Sequence, residues 1–293
     1  MPTLTVFPHD PLDHYQLLDC GHGEKLERVC GLVLRRPDPQ AMWRPVLSPA
    51  EWDQADLVFE RESDRGGRWR NPGKSAPSDW VFSHRGAQLA IRPTPFKHIG
   101  LFPEQAANWL WTAEQIQRLA TVEQRPRLLN LFAYTGAATV YASLAGAFVT
   151  HVDASKPSLR WARDNAQLSG LPKDAVRWIQ DDALSFVHRE IRRGKRYEGI
   201  LLDPPPYGRG PDGEKWVFEE QIVELLDACG ELLSPDSAFL VLSCYAVGTS
   251  PLAFLNMLGD LGPGTITAGE LALPQENSER LLPAGLCGRW QRG

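Results

Sequence analysis

The string Leu202-Asp203-Pro204-Pro205-Pro206-Tyr207-Gly208 combines residue types that indicate chemistry more clearly than any other part of the sequence. Three consecutive prolines remove backbone N–H donors and hold the chain extended. A carboxylate therefore stands at the base of a rigid segment that carries an aromatic ring beyond it. Packing alone does not require this combination, so we interpret the string as part of a reaction centre. A purely structural role is the alternative.

A second string, Asn130-Leu131-Phe132-Ala133-Tyr134-Thr135-Gly136, follows a buried apolar run and opens directly into a helical pattern. Glycine lets the backbone approach a ligand, and the first turn of a helix offers unpaired N–H groups. The string lacks the three glycines of a dinucleotide fingerprint and the Gly-Lys-Ser/Thr of a P-loop, which disfavours NAD and ATP. A tight turn without a ligand is the alternative here.

Acidic residues follow the next two apolar runs. Asp153 is well placed to accept hydrogen bonds from two ribose hydroxyls, as acidic residues do in nucleotide-binding folds. Of Asp181 and Asp182, one could accept from an adenine amino group while the other caps the next helix. Two acids before a helix are by themselves more often a cap. Together with Asp153 they favour a ligand of the adenosine type.

Short apolar strands alternate with helices from about residue 94 onward, and this alternation must position the strings. The strands are predicted over 128–132, 148–152, 176–179, 199–202 and 239–243, and the helices over 104–120, 137–145, 156–169, 183–193, 219–233 and 250–258. Such alternation is typical of a mostly parallel sheet with helices on both faces. Ligands of these α/β sheets bind outside the carboxyl ends of the strands, where the strings described above lie.

Residues 1–95 have a different pattern, in which short apolar runs alternate with turn-forming segments rich in glycine and proline. We predict a small β-rich N-terminal domain over 1–95 and a catalytic domain over 96–293. The polar stretch 60–78 is predicted to be a flexible loop within the first of these. It contains the turn-forming strings Asp64-Arg65-Gly66-Gly67 and Asn71-Pro72-Gly73-Lys74.

Composition restricts the class of protein. The chain has 293 residues, 43 % of them hydrophobic, and can bury a substantial core. Its apolar runs are far shorter than the roughly 20 residues that span a bilayer, and residues 1–10 lack a secretory pattern, so we expect a cytoplasmic protein without a membrane segment. Five cysteines without CxxC spacing suit reduced thiols, and we expect no metal.

The net charge of the chain disfavours binding of a phosphate backbone over its whole surface. There are 31 Lys and Arg residues against 36 Asp and Glu residues, for a net charge of -5. A chain with that balance does not neutralise phosphates over its whole surface. Nucleic acid can still bind to a local basic patch.

In this order, the strings resemble those of class I S-adenosylmethionine-dependent methyltransferases, and among them the branch of bacterial 23S ribosomal RNA cytosine-5 methyltransferases. The resemblance covers about residues 97–248. It is also carried by Gly100-Leu101-Phe102-Pro103-Glu104-Gln105, Val152-Asp153-Ala154-Ser155 and Leu242-Ser243-Cys244. It implies a Rossmann-like, seven-stranded sheet whose last two strands pair as an antiparallel hairpin at the edge.

The resemblance also implies the cofactor, S-adenosylmethionine, and the residues that hold it. Four residues of the second string would line the methionine end, Asp153 the ribose and Asp182 the adenine, and Gln105 would reach in from the preceding helix. The first group is Phe132, Tyr134, Thr135 and Gly136. Asp203, Pro204 and Pro205 would face the transferring methyl group. Methyl transfer of this kind depends on positioning and needs no metal.

Cys244 is the candidate nucleophile that the resemblance implies. Carbon-5 of cytosine becomes reactive after a cysteine thiolate adds to carbon-6, and in these relatives that cysteine follows the fifth strand. Here Tyr245 follows the cysteine where the relatives have serine. Pro206 replaces an expected lysine, and Tyr207 lies one residue beyond its place in an Asp-Pro-Pro-Tyr motif. An inert packing role for Cys244 is the alternative.

The leading hypothesis is a methyltransferase that acts on a nucleobase in ribosomal RNA, with cytosine carbon-5 as the first acceptor to consider and RNA as the partner. Two alternatives stay open. One is methylation of a protein or small molecule on the same core, and the other is a protein that binds the cofactor without turnover. The sequence does not determine the oligomeric state.

Overall fold

A computed structural model describes residues 5–8, 11–63, 66–121, 125–245 and 247–293. The chain forms two compact units, both discontinuous in sequence. The first comprises Ala107–Leu271, Gly285–Gly293 and the described part of Met1–Phe7, and the second comprises Pro8–Ala106 and Ala272–Ala284. These units differ from the predicted division at residues 95 and 96, because the chain returns to the N-terminal unit near its end. The division into functional domains stays a prediction.

The described residues contain the following helices and strands. The strands are β1 Thr5–Pro8, β2 Tyr15–Gly21, β3 Glu24–Val29, β4 Leu32–Pro37, β5 Leu57–Ser63, β6 Gly66–Arg70, β7 Val81–His84, β8 Ala87–Ala90, β9 Arg127–Leu131, β10 Phe148–Asp153, β11 Val176–Gln180, β12 Gly199–Leu202, β13 Tyr207–Arg209, β14 Lys215–Val217, β15 Ala238–Cys244, β16 Thr265–Pro274 and β17 Leu281–Arg292. The helices are α1 Pro49–Trp52, α2 Ala106–Leu119, α3 Ala137–Leu144, α4 Lys156–Leu168, α5 Ala183–Arg192, α6 Phe218–Leu232 and α7 Pro251–Gly259, and a short 3-10 helix, Pro103–Gln105, precedes α2.

The main sheet has eight strands in the order β1-β16-β17-β15-β12-β9-β10-β11. The five strands from β15 to β11 are parallel, and β17 is antiparallel to β15. The chain leaves β9 toward β10 on one side and leaves β12 toward β15 on the other. The strand order therefore reverses between β9 and β12, and the crevice outside their carboxyl ends is where such a fold binds its ligand.

The predicted α/β alternation is confirmed, with most boundaries within one or two residues of those predicted. The seven expected strands are present, and β16 and β17 are neighbours, but the hairpin is not the edge of the sheet. Strand β1 lies outside β16. It fits there because β16 has a glycine at the contact: a Cβ on Gly269 would lie 1.6 Å from the carbonyl oxygen of Thr5. Glycine inside a strand often marks such a close backbone approach.

The parallel strands are buried on both faces, and alternate residues of one strand enter two separate cores. Leu129 of β9 and Ile200 of β12 belong to the core that packs against α5 and α6. Their neighbours Leu128 and Leu201 belong to the core on the other face. Successive side chains of a strand point to opposite faces, which is why the central strands are almost continuously apolar in sequence.

The second unit is β-rich, with a five-stranded sheet in the order β2-β3-β4-β5-β6 and a hairpin of β7 and β8. The prediction of a flexible loop over 60–78 is wrong for part of that range, since β5 continues to Ser63 and β6 begins at Gly66. Pairing between charged side chains across the two strands, such as Arg70 with Glu60, stabilises a hairpin that is polar in sequence. Asp64 and Arg65 lie outside the described residues.

Residues 272–284 complete the second unit from far along the chain. The side-chain amide of Gln275 donates to Asp19 Oδ1 at 3.0 Å, and the backbone N–H of Glu276 donates to the carbonyl oxygen of Leu17 at 2.7 Å. The carboxylate of Asp19 also accepts hydrogen bonds from Trp52 Nε1 and from the backbone N–H of Leu47. A buried carboxylate with this many donors ties together strand, helix and returning segment.

Within the described ranges, none of the helices has both the length and the apolar character needed to cross a bilayer. The same ranges contain no cluster of three or more His, Cys, Asp or Glu side chains able to hold a metal ion. All five cysteines are free thiols.

The buried carboxylate of Glu190, in α5, links this helix to β11 and to the segment before β12. It accepts hydrogen bonds from the Tyr197 hydroxyl at 2.7 Å, Arg177 Nη1 at 3.0 Å and Arg193 Nη1 at 3.0 Å. Burial acts to raise the pKa of Glu190, but these donors outweigh burial and lower the pKa. The charged form is therefore favoured by folding.

We expect Glu190→Gln to lower the free energy of unfolding by about 2–3 kcal/mol at pH 7, because charge-assisted hydrogen bonds are lost. A lowered pKa means that this stability is present above the unfolded pKa of about 4.3 and is lost as the pH falls through the folded pKa. Urea denaturation from pH 7 to about pH 3 checks this, because the loss begins near the unfolded pKa and continues below it. A difference between wild type and variant that stays constant below about pH 4 would contradict it.

Candidate active site

The loop that leaves β9 has an unusual backbone. Phe132, Tyr134 and Gly136 all have positive φ, at 54°, 49° and 80°. Left-handed backbone costs about 1–3 kcal/mol at a residue with a side chain and persists where the surroundings enforce it. At Gly136, a Cβ would also lie 2.9 Å from the Cβ of Ala162, so both the backbone angle and the packing against α4 require glycine.

Asp153, at the carboxyl end of β10, enforces the shape of this loop. Its Oδ2 accepts from the backbone N–H of Tyr134 at 2.7 Å, and its Oδ1 accepts from the backbone N–H of Ser155 at 2.8 Å. Burial raises the pKa of Asp153 while these two hydrogen bonds act to lower it. Each carboxylate oxygen can accept more than one hydrogen bond. The geometry therefore suits the predicted role of holding two hydroxyls of a ribose.

A buried polar network supports this loop, and it was not predicted from the sequence. Asn130 Nδ2 donates to Thr139 Oγ1 at 3.0 Å, and that oxygen lies 2.9 Å from Nδ1 of His151. Burial lowers the pKa of His151 to about 3, so its ring is neutral. Asn165 Nδ2 donates to the carbonyl oxygen of Thr135 at 2.8 Å. Polar residues inside otherwise apolar strands were the signal that could have revealed this network.

Asp203 lies at the carboxyl end of β12, across the crevice from the loop. Ser243 Oγ donates to Asp203 Oδ1 at 2.7 Å. Asp203 keeps contact with solvent on one side, yet the protein packed around its other sides desolvates it and raises its pKa to about 6, against the lowering effect of Ser243. Contact with solvent together with a raised pKa is expected of a carboxylate on the floor of a cleft.

Trp216 of β14 joins the loop to the proline segment. Its Nε1 donates to the carbonyl oxygen of Pro205 at 2.7 Å, and its ring centroid lies 4.9 Å from that of Phe132. The structure thus brings together the two strings that the sequence singled out. Tyr207, beyond the prolines, is 52 % exposed and belongs to the β13–β14 hairpin.

The environment of Cys244 does not fit the predicted nucleophile. Its side chain is only 2 % exposed, and its Sγ donates to the carbonyl oxygen of Pro204 at 3.1 Å. Burial, followed by the nearby carboxylate of Asp203, raises the pKa of the thiol to about 12. Reactive cysteines have lowered pKa values and accessible sulfur atoms. The alternative of an inert, packed thiol therefore agrees better with the structure. Ala246, two residues further on, lies outside the described residues.

Two other predicted contacts stay predictions. Asp182 Oδ1 accepts from the backbone N–H of Ser185 at 2.9 Å and caps α5, while Asp181 forms an ion pair with Arg189. The structure thus gives both acids a local role, and it leaves the adenine contact of Asp182 untested. Gln105 belongs to the second compact unit, and its predicted reach to the cofactor is likewise untested.

The comparisons with known proteins assign the family. A profile described as "S-adenosylmethionine-dependent methyltransferase" matches residues 75–256. The chain belongs to this family. A solved methyltransferase from Agrobacterium tumefaciens, described as S-adenosylmethionine-dependent, has 37 % sequence identity and a TM-score of 0.92, with 98 % of this chain and 93 % of that chain covered.

More distant relatives are also described as methyltransferases. "Ribosomal RNA large subunit methyltransferase K/L" of Shewanella loihica is 31 % identical over 187 residues, which are 63 % of this chain and 25 % of that protein. The chain thus spans about a quarter of the length of the curated relatives of this name. A putative methyltransferase from Streptococcus mutans shares the fold alone, with 18 % identity, a TM-score of 0.70 and coverage of 96 % and 76 % of the two chains.

S-adenosylmethionine is the cofactor of this methyltransferase family, and the residues present fit it. The strand-end segments 132–136, 153–155, 181–183 and 203–206 contain four aspartates and neither lysine nor arginine. Asp181 pairs with Arg189, but the strand-end segments remain acidic overall, which suits a ligand that carries positive charge and no phosphate. A sulfonium with an α-ammonium group meets this condition. NAD and ATP carry phosphates and do not.

We expect Asp153→Ala to weaken the binding of S-adenosylhomocysteine by about 10- to 100-fold, because hydrogen bonds from ribose hydroxyls to a carboxylate are lost. Isothermal titration calorimetry measures the affinity, and circular dichroism checks that the variant is folded. Asp174→Ala, which removes an exposed acid before β11, is the matched control. Equal affinity in Asp153→Ala and wild type would refute the ribose assignment.

Proposed function

We propose that this methyltransferase transfers a methyl group to a nucleobase nitrogen in large-subunit ribosomal RNA. The observation that carries the proposal is the carboxylate of Asp203, fixed by Ser243 beside the cofactor loop at the point where the strand order reverses. The choice of RNA is supported by the curated relatives, which are named as ribosomal RNA large subunit methyltransferases.

The residues of the chain would act mainly by positioning. When bound, the cofactor supplies an electrophilic methyl group on a sulfonium. The Asp153 carboxylate and the loop up to Gly136 hold the donor, and the proline segment after Asp203 presents the acceptor in line with it. Asp203 accepts a hydrogen bond from the N–H of the nucleobase nitrogen that receives the methyl group. This bond directs the lone pair of that nitrogen toward the methyl group. As the N–C bond forms, the bond between sulfur and the methyl group breaks with its electron pair left on sulfur, and the carboxylate takes the proton that this nitrogen releases.

A nitrogen acceptor agrees with the state of Cys244. Methylation of cytosine carbon-5 requires a thiolate that adds to carbon-6. A buried thiol that donates to Pro204 and has a pKa of about 12 is neutral at physiological pH. A nucleobase nitrogen carries its own lone pair and needs no covalent activation. The prediction of cytosine carbon-5 therefore has no structural support.

Methylation assays distinguish these routes. Purified protein with labelled S-adenosylmethionine should methylate unmodified large-subunit ribosomal RNA made by transcription in vitro. Cys244→Ala should keep activity within about threefold of wild type, since the thiol forms no covalent bond with substrate and its hydrogen bond to the carbonyl oxygen of Pro204 is weak. Asp203→Asn should lower kcat by about 10²–10⁴, the range for loss of a positioned general base.

Each outcome of these assays has a distinct meaning. Loss of turnover in Cys244→Ala with unchanged binding of S-adenosylhomocysteine would restore the covalent route. Failure of the wild-type protein to methylate either the free RNA or immature large subunits would overturn the choice of RNA. Mapping of the modified nucleoside by mass spectrometry would identify the acceptor atom.

The pH profile of kcat tests the role of Asp203. Desolvation by the surrounding protein raises its pKa to about 6, and the reaction needs its ionised form, so the rate should rise with pH and level off above about pH 7. Ser243→Ala removes the hydrogen bond that lowers this pKa, and the midpoint should move to higher pH. Ser243→Thr, which keeps a hydroxyl, is the control. An unchanged midpoint in Ser243→Ala would contradict this role.

A further inference from the structure

An exposed aromatic ring and two cations lie together on the second unit. Phe96 is 62 % exposed, Arg61 is exposed at the end of β5, and Lys97 follows Phe96 directly. Arg61 lies opposite Gly67 in the β5–β6 register, and the backbone N–H of Gly67 donates to the carbonyl oxygen of Pro95 at 2.9 Å. We call Arg61, Phe96 and Lys97 the Phe96 surface.

The segment that carries this ring is held rigidly by its carbonyl groups. The carbonyl oxygen of Thr94 accepts from Trp69 Nε1 at 2.8 Å, and that of Lys97 accepts from Arg36 Nη1 at 3.0 Å. Together with the bond from Gly67 to Pro95, these contacts fix the backbone on both sides of Phe96. An aromatic ring on a rigid backbone loses little conformational entropy when it binds a partner.

Two backbone features show that this arrangement is enforced. A Cβ on Gly66 would lie 2.7 Å from the carbonyl oxygen of Pro95, so the close approach of the segment to β6 requires glycine. Lys97 has a φ of 65°, in the left-handed region that lysine rarely adopts. Backbone strain of this kind is concentrated at functional sites.

The charge around Lys97 is positive. Burial, together with Lys25, Arg36 and Arg61, lowers its pKa to about 8, while Asp38 acts in the opposite direction. Asp38 already pairs with Lys25 at 3.3 Å, and a second buried acid, Glu27, pairs with Arg36. The surroundings of Phe96 therefore attract a polyanion.

Arg61 lies on one face of the β5–β6 hairpin, and the acid–base pairs of the hairpin lie on the other. Glu60 and Arg68 are opposite each other in register, with their side chains 3.6 Å apart. Because side chains alternate along a strand, Arg61 points to the opposite face from Glu60. Its charge is directed to the face of Trp69 and the Phe96 segment.

We propose that the Phe96 surface binds single-stranded RNA, with the ring of Phe96 stacked on a base and Arg61 contacting a phosphate. Lys97, whose Nζ donates to the carbonyl oxygen of Pro37 at 3.2 Å, adds positive charge to this surface. Aromatic rings beside a basic track bind single strands in this way without reading their sequence. The inference rests on the proposed function and adds a role for the β-rich unit, namely to hold the RNA substrate.

Binding of the full-length protein to a fluorescein-labelled single-stranded RNA of mixed sequence tests the inference by fluorescence anisotropy. Phe96→Ala should weaken binding by about 5- to 150-fold, the range measured when a stacking ring is removed, and Phe96→Trp should restore it. Arg61→Ala should weaken binding and lower the slope of log K against log salt by about 0.7, the value for one phosphate contact on a single strand.

Matched controls come from the same unit. Arg68→Ala removes the same charge from the opposite face of the hairpin, and Met42→Ala removes another exposed apolar side chain, which is 82 % exposed. Both should bind RNA as wild type does. The four substituted residues are exposed, so their replacement leaves core packing unchanged; they are Met42, Arg61, Arg68 and Phe96. Unchanged affinity for S-adenosylhomocysteine confirms an intact cofactor-binding unit.

The outcomes separate this inference from the proposed function. If wild type methylates RNA but Phe96→Ala and Arg61→Ala bind RNA as the controls do, the inference is overturned and the function stands. If wild type binds RNA through these residues but transfers no methyl group to it, the inference stands and the proposed acceptor is overturned. Failure of wild type to bind RNA overturns both, and equal affinity for inorganic polyphosphate overturns base stacking.

Discussion

The carboxylate of Asp153 is the contact on which the site depends. One of its oxygens fixes Tyr134 in the loop after β9, and the other fixes Ser155 at the start of α4. The first of these bonds, together with the bond from Asn165 to the carbonyl oxygen of Thr135, holds a loop in which Phe132 and Tyr134 have left-handed backbone. The same carboxylate is the expected partner of the ribose. In this assignment, loop shape and cofactor recognition are parts of one interaction.

Two successive residues of β15 fix the other side of the crevice. The hydroxyl of Ser243 holds the side chain of Asp203, and the thiol of Cys244 donates to the carbonyl oxygen of Pro204. Prolines cannot donate a backbone hydrogen bond, so the segment after β12 must be held through its side chains and carbonyl groups. The Ser-Cys pair does this from a neighbouring strand, which explains a cysteine at this position without any covalent chemistry.

Much of the α/β core could be predicted from sequence because each central strand is a short apolar run with a helix after it. The proline string and the loop ending at Gly136 were recognisable for a similar reason, since few folds require such residues at strand ends. What escaped prediction depends on contacts distant in sequence. The bond between Asn165 and Thr135, the fit of β1 against Gly269 and the burial of Cys244 are set by tertiary packing. The β5–β6 hairpin escaped because its charges pair across strands and resemble a loop in composition.

The contacts of Asp19 and Leu17 with Gln275 and Glu276 have a consequence for biosynthesis. Domains commonly fold in order as they leave the ribosome, from the N-terminus onward. Here the β-rich unit lacks its last segment until residues 107–271 have been made. Its completion must therefore follow translation of the methyltransferase core, and a nascent chain arrested between the two would expose the buried carboxylate of Asp19 short of a donor. The β-rich unit is thus begun before the methyltransferase core and completed after it.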